Sequence, residues 1–94
     1  HPDRAEAHCR LGWALLFAVD RPEEAIAPLR EAARLAPDDP EARLALGIAF
    51  NALGREAEAN AAFDEALKLD PGLLERRPAA RAVLEATRKA QRWP

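Results

Sequence analysis

The sequence predicts an all-α protein built from antiparallel helix–turn–helix repeats, with about five helices. Hydrophobic residues make up 49% of the 94-residue chain and are mostly alanine and leucine, whereas tyrosine and methionine are absent. This composition favours helices over strands. The chain also repeats itself: residues 2–15 align with 37–50, and residues 23–38 align with 57–72. We therefore expect one small domain over residues 1–94.

Residues typical of helix ends support these helices. Asp39 before Pro40 suits an N-cap followed by the first helical residue, and Asp20 and Glu23 have the spacing of a capping box. Gly54 suits a left-handed C-terminal cap. The predicted helices cover about residues 4–18, 22–35, 39–53 and 56–69.

A glycine recurs inside the first helix of both copies, as Gly12 and Gly47. Glycine in a helix interior costs roughly 0.5–1 kcal/mol relative to alanine. Its recurrence indicates a close contact between two helices rather than a local backbone requirement. We expect small residues on the facing helix to assist this contact, and Phe50 and Phe63 to fill wider gaps.

The period and these residues resemble the tetratricopeptide repeat, an α-solenoid family. Its unit of about 34 residues has the pattern W-x2-L-G-x2-Y, then A-x3-F, then P. Only the tryptophan slot fails in the second copy, where Arg43 stands; the first copy has His8 there and Leu15 and Leu29 in the aromatic slots. The resemblance implies repeat one over about 3–37 and repeat two over about 38–71. The positions expected to pack the repeats are Leu11, Gly12, Leu15, Ala25, Leu29, Ala32, Leu46, Gly47, Phe50, Ala59, Phe63, Ala66 and Pro71.

The C-terminal segment departs from the repeat pattern. Pro78 falls where a third repeat's first helix would already be running, and no Leu-Gly pair follows. Stacked repeats need a terminal helix with a polar outer face. We therefore expect a capping helix within about 74–92. Its apolar stripe would contain Val83, Leu84, Thr87, Ala90 and Gln91.

The resemblance implies that the first helices of the repeats line a concave groove that holds a peptide. The family's best-known groove grips a carboxylate with asparagine and basic side chains, but Trp13, Ile48, Cys9 and Leu44 stand at those positions here. An apolar or amphipathic helix or extended peptide is thus expected as ligand, rather than an acidic tail. The alternative is that the aromatic residues pack in the core. The candidate groove residues are Cys9, Arg10, Trp13, Leu16, Phe17, Leu44, Ile48 and Asn51.

Two other roles remain open at this point. The apolar stripe of the first helices would serve a structural scaffold if it met a second copy of the chain or a neighbouring repeat. The chain would instead be an accessory domain of a larger enzyme if catalysis lay outside these residues. The expected partner is a protein or peptide, with self-association as the alternative.

Charge argues against nucleic acid and membrane as partners. The net charge is −2, too small for strong electrostatic steering. Residues 71–94 carry six basic and two acidic residues, but few aromatic residues accompany them, so a solvated face is the simpler interpretation. No apolar run approaches the ~20 residues of a membrane span.

Nothing in the sequence indicates catalysis, a cofactor or a metal. His8 and Cys9 are adjacent, so on a helix they point about 100° apart, and neither has a partner at ligand spacing. We therefore expect no enzyme activity. The single cysteine fits a reducing compartment, which favours the cytoplasm. The absence of methionine suggests a fragment of a longer chain.

Overall fold

The computed structural model describes the backbone of residues 2–91 and the side chains of residues 4–78 and 80–86. The described residues form only helices, which confirms the all-α prediction. The short α5 is the one helix beyond the predicted number. The helices are α1 (Pro2–Phe17), α2 (Pro22–Leu35), α3 (Pro40–Ala52), α4 (Glu56–Leu69), α5 (Leu73–Arg76) and α6 (Pro78–Gln91).

The first four helices form two hairpins that stack on each other. α1 packs along α2 and α3 packs along α4, because each pair is joined by a short turn. α2 also packs against α3, and this contact joins the two hairpins. α6 contacts α3 and α5, so α3 has neighbours on several sides whereas α1 contacts only α2 and α3 closely.

The ends of α3 follow the predicted capping. The Asp39 carboxylate accepts a hydrogen bond from the Glu41 backbone N–H at 3.0 Å, which confirms the N-cap. Gly54 has φ 76°, the left-handed conformation expected of it. The Arg55 N–H donates to the Phe50 carbonyl at 2.8 Å and the Gly54 N–H to the Asn51 carbonyl at 3.1 Å, a Schellman arrangement.

The predicted capping box of Asp20 and Glu23 is wrong. Arg21 is the N-cap of α2 and makes no side-chain capping bond. Asp20 instead has φ 52° and ends α1, in the role that Gly54 has after α3. The Arg21 N–H donates to the Leu15 carbonyl at 2.7 Å and closes a turn one residue longer than its counterpart after α3. That extra residue is why the two halves of the chain repeat with slightly different spacing.

Both helix glycines lie at close helix contacts, as predicted. A Cβ added at Gly47 would stand 2.7 Å from Phe63 Cδ1, and one added at Gly12 would overlap the Leu29 side chain. Phe63 therefore does not fill a wider gap, as the sequence suggested. Its ring lies directly on Gly47, and the glycine is the position that admits it.

Most of the residues matched to the repeat pattern are buried, but two are not. Leu11 is 51% exposed and Pro71 is exposed, although both were expected to pack the repeats together. Leu11 is exposed because no described helix lies over its side of α1. Leu15 is half-buried. The buried positions are Gly12, Ala25, Leu29, Ala32, Leu46, Gly47, Phe50, Ala59, Phe63 and Ala66.

The C-terminal segment extends the core. The predicted cap is divided into α5 and α6, with Leu73, Ala80 and Leu84 buried in the same cluster as the repeats, and Val83 packed against it. The side chains of Thr87, Ala90 and Gln91, which were expected to continue this stripe, lie outside the described side chains. The capping role of α6 stays a prediction that removal of the helix would test.

Candidate ligand-binding groove

One face of α1 carries Cys9, Trp13 and Phe17, which follow one another at four-residue intervals and so lie above each other on the helix. The rings of Trp13 and Phe17 are stacked, with centroids 5.3 Å apart and planes inclined by 14°. Trp13 is half-buried against the core, whereas Phe17 is 57% exposed. An aromatic pair is therefore anchored at one end and open to a ligand at the other.

Arg77, between α5 and α6, connects this aromatic pair to the second repeat. Its guanidinium carbon lies 5.6 Å from the Trp13 ring centroid, within cation–π range. Its Nη2 lies 3.0 Å from Glu41 Oε2 on α3. The Arg77 side chain is 49% exposed, so its ion pair contributes little stability. Its main effect is to hold the start of α6 beside α1 and α3.

Two cavities adjoin the contact between Trp13 and Arg77, and both residues line both cavities. The inner cavity has a volume of about 520 Å³ and the outer one about 320 Å³. We call the two together the α1–α6 groove. The inner cavity is also lined by Ala5, Glu6, Cys9, Arg10, Ala36, Asp39 and Glu41, and the outer by Phe17, Arg76, Pro78 and Ala80.

The two cavities differ in charge. The lining of the inner cavity includes Glu6, Asp39 and Glu41, with Arg10 paired to Glu6 at 2.5 Å. The lining of the outer cavity contains no acidic residue and two arginines, of which Arg76 pairs with an aspartate outside the lining. The outer cavity is thus apolar and basic, whereas the inner cavity is polar and more acidic.

Cys9 is half-buried in the inner cavity. Burial raises the pKa of its thiol above the ordinary value of 9.0, because the thiolate loses contact with water. Asp39 and Glu41 raise this pKa further, while a hydrogen bond with Trp13 and the charge of Arg77 lower it. The thiol therefore stays protonated near neutral pH, which makes Cys9 a small apolar wall residue.

The structure divides the groove residues predicted from the sequence into two sets. Cys9, Arg10, Trp13 and Phe17 line the α1–α6 groove. The remaining four do not line it, because α1, α2, α4 and α6 surround α3 and enclose the side chains predicted to reach a ligand. Leu16, Leu44 and Ile48 are buried, at 8%, 1% and 6% exposure, and Asn51 is half-buried near the end of α3.

Sequence reasoning missed the arginines at the outer cavity. Arg76 and Arg77 immediately precede Pro78, which begins α6, and they belong to the basic segment interpreted above as a solvated face. The pair of arginines before a helix-starting proline was the available signal. Its meaning depends on α6 returning to α1, a long-range contact that no local pattern shows.

Two other kinds of site were sought in the described part of the chain. Across it, no three His, Cys, Asp or Glu side chains are grouped as ligands for a metal ion. Nor does any described helix have the length and hydrophobicity needed to cross a membrane.

Stacked helical hairpins with an open groove beside their first helices define the class of α-solenoid repeat proteins. The tetratricopeptide repeat family model matches residues 1–40 and 15–73. The chain belongs to this family, as its sequence pattern predicted, and repeats of this family generally mediate protein–protein interaction. Comparison with curated proteins and with solved structures returned no match.

Proposed function

We propose that the chain binds a peptide or helical segment of a partner protein in the α1–α6 groove. The observation that carries this proposal is the stacked Trp13–Phe17 pair, whose outer ring is 57% exposed beside an apolar cavity. Aromatic residues held rigidly at a pocket are the usual energetic centres of interfaces. An apolar side chain of the partner would lie against Phe17 and fill the outer cavity.

The charge of the outer cavity narrows the ligand further. Arg76 and Arg77 flank the aromatic pair, and no acidic residue lines that cavity. A carboxylate on the ligand would compete with Asp70 and Glu41 for these guanidinium groups while its apolar neighbour covers Phe17. The proposed ligand is therefore an amphipathic segment with an acidic residue beside an aromatic or aliphatic one.

A peptide-display selection on the native chain tests this proposal. Selected peptides are then titrated against Phe17→Ala and against Leu69→Ala, a matched control. Both side chains are large and exposed, at 57% and 41%, so neither change should disturb the fold. Leu69 lies on α4 and does not line the groove.

The expected result is that Phe17→Ala weakens binding by at least about tenfold, as loss of a central aromatic contact does. Leu69→Ala should leave the affinity within about twofold, since surface changes outside an interface are nearly neutral. Equal affinities for the native chain and Phe17→Ala would place the binding site elsewhere and contradict the proposal.

This role is binding without catalysis, in the cytoplasm. It is supported by the family's general role in protein interaction and by the single, protonated Cys9, which suits a reducing compartment. Turnover of any substrate by the purified chain would contradict the first part. Secretion of the tagged full-length protein from its native cells would contradict the second.

A further inference from the structure

The side of α1 opposite the groove is an exposed apolar face whose counterpart on α3 is buried. Ala7, Leu11 and Ala14 are exposed, and they lie on one side of α1 because they are three or four residues apart. In the aligned repeat the same three positions hold Ala42, Leu46 and Ala49, which are 1%, 8% and 0% exposed. We call Ala7, Leu11 and Ala14 the α1 outer face.

The first hairpin covers this face on α3. α2 packs along α3, and its Arg30 guanidinium carbon lies 5.7 Å from the centroid of the Phe50 ring, next to Leu46 on the helix surface. The connection after α2 also reaches α3, since Arg43 Nη1 donates to the Pro37 carbonyl at 2.7 Å. The molecule therefore contains one occupied copy of the face, with a helix seated on it.

The α1 outer face has the same residues as its occupied copy. Alanine, leucine and alanine stand at the same three positions in both helices, and the neighbouring aromatic slot holds Leu15 where α3 has Phe50. Leu11 and Trp13 are two residues apart and so point about 200° apart around the helix. A partner on the outer face would leave the α1–α6 groove free.

We infer that the α1 outer face docks the second helix of another tetratricopeptide-type hairpin, placed as α2 is placed on α3. The docked helix would resemble α2, which presents the half-buried Ile26 and Ala33 two turns apart beside its buried face. Each repeat buries its apolar surface fully only against a neighbour, and that neighbour is the occupant assigned to α1.

A fusion chain tests this inference without identifying a natural partner. Residues 21–36, which contain α2, are joined directly before Pro2, because Pro2 aligns with Pro37 and the added helix then precedes α1 in the register in which α2 precedes α3. The control fusion carries the same sixteen-residue composition in scrambled order. Thermal unfolding followed by circular dichroism, and labelling of a Leu11→Cys variant in a Cys9→Ala background, report docking.

The added helix should raise the Tm by at least about 5 °C over the scrambled control, which for a domain of this size reflects a stabilising contact. Labelling at position 11 should slow by at least about tenfold. In the fusion, Leu11→Glu should abolish the gain in Tm; in the native chain the same change should be nearly neutral, since Leu11 is 51% exposed.

Three results would overturn the inference. One is equal Tm values for the fusion and its scrambled control, and another is a gain in Tm that survives Leu11→Glu. The third is a concentration-dependent dimer of the native chain that Leu11→Glu dissociates, because a second copy of this chain would then be the occupant of the face.

Discussion

The two hairpins carry the same sequence pattern but have very different surroundings. Gly47 of the second repeat lies in a helix whose residues 44–50 are all buried. Gly12 of the first repeat makes the same kind of close contact with its partner helix, yet Leu11 beside it is 51% exposed. The repeat pattern thus determines the packing inside each hairpin. Exposure outside the hairpin depends on whether another helix covers it.

This difference makes α3 the structural centre of the domain and α1 its recognition helix. α3 contacts α1, α2, α4 and α6, so its apolar residues are used for stability. α1 has close contacts with only α2 and α3, and one free side carries the Trp13–Phe17 pair while the opposite side carries the outer face. Both proposed contacts with other proteins therefore involve the less covered of the two equivalent helices.

Removing α6 should have the largest effect on this comparison, because it uncovers α3. A chain ending at Leu73 loses Ala80 and Leu84, which are 2% and 3% exposed in the core. Two repeats are fewer than the three or so that stability usually requires. We expect the truncated chain to lose its cooperative thermal transition in circular dichroism. A chain ending at Gln91, which retains α6, is the control; an unchanged melt after truncation at Leu73 would show that α6 is not a cap.

Equivalent leucines in the two repeats should differ strongly when truncated. Leu46→Ala removes a side chain that is 8% exposed and should lower the free energy of unfolding by about 2–5 kcal/mol. Leu11→Ala at the aligned position should change it by less than about 0.5 kcal/mol, since Leu11 is half exposed. Urea unfolding of both variants measures the difference, and similar losses would mean that Leu11 is covered in solution.

Larger residues at the two glycines should give a smaller but similarly ordered difference. Gly47→Leu overpacks the Phe63 ring, which is enclosed with α3 on all sides, and should cost about 1–3 kcal/mol. Gly12→Leu should cost less, because α1 has an uncovered side toward which it can shift. Chemical denaturation compares the two variants. A greater loss at Gly12 would contradict the idea that α1 is the less constrained helix.

Cys9 should give the smallest effect, as a dependence of stability on pH. Its thiol pKa is raised in the folded chain, so the unfolded chain loses the proton more readily. Stability is therefore complete below the ordinary pKa of 9.0 and falls as the pH rises through it. Urea unfolding on either side of this pH should show a smaller fall for Cys9→Ala than for the native chain. Equal falls would mean that the thiol is not desolvated.

The fold was predictable because its signals are local and repeated. The spacing of Gly12 and Gly47, the N-cap at Asp39 and the left-handed Gly54 are each specified by a few neighbouring residues, and the structure contains all of them. The capping box at Asp20 failed for a local reason too. The turn after α1 is one residue longer than the turn after α3, and its end uses the left-handed conformation of Asp20 itself.

The candidate site was predictable only in part, because it depends on which helices come together. Trp13 and Phe17 share a face of α1 whatever the rest of the chain does, and they line the groove. Leu44 and Ile48 occupy the aligned face of α3, but neighbouring helices bury them. Arg77 enters the site by contacting residues far away in the sequence, which repeat periodicity does not predict.

The most direct test of the central claim is to follow Trp13 fluorescence while a selected peptide is added. A Trp93→Phe background leaves Trp13 as the single tryptophan, and calorimetry measures binding independently. The account predicts a saturable change in emission with the same affinity as calorimetry, lost together with binding in Phe17→Ala and retained in Leu69→Ala. Full binding by calorimetry with unchanged Trp13 emission would contradict a groove built on the Trp13–Phe17 pair.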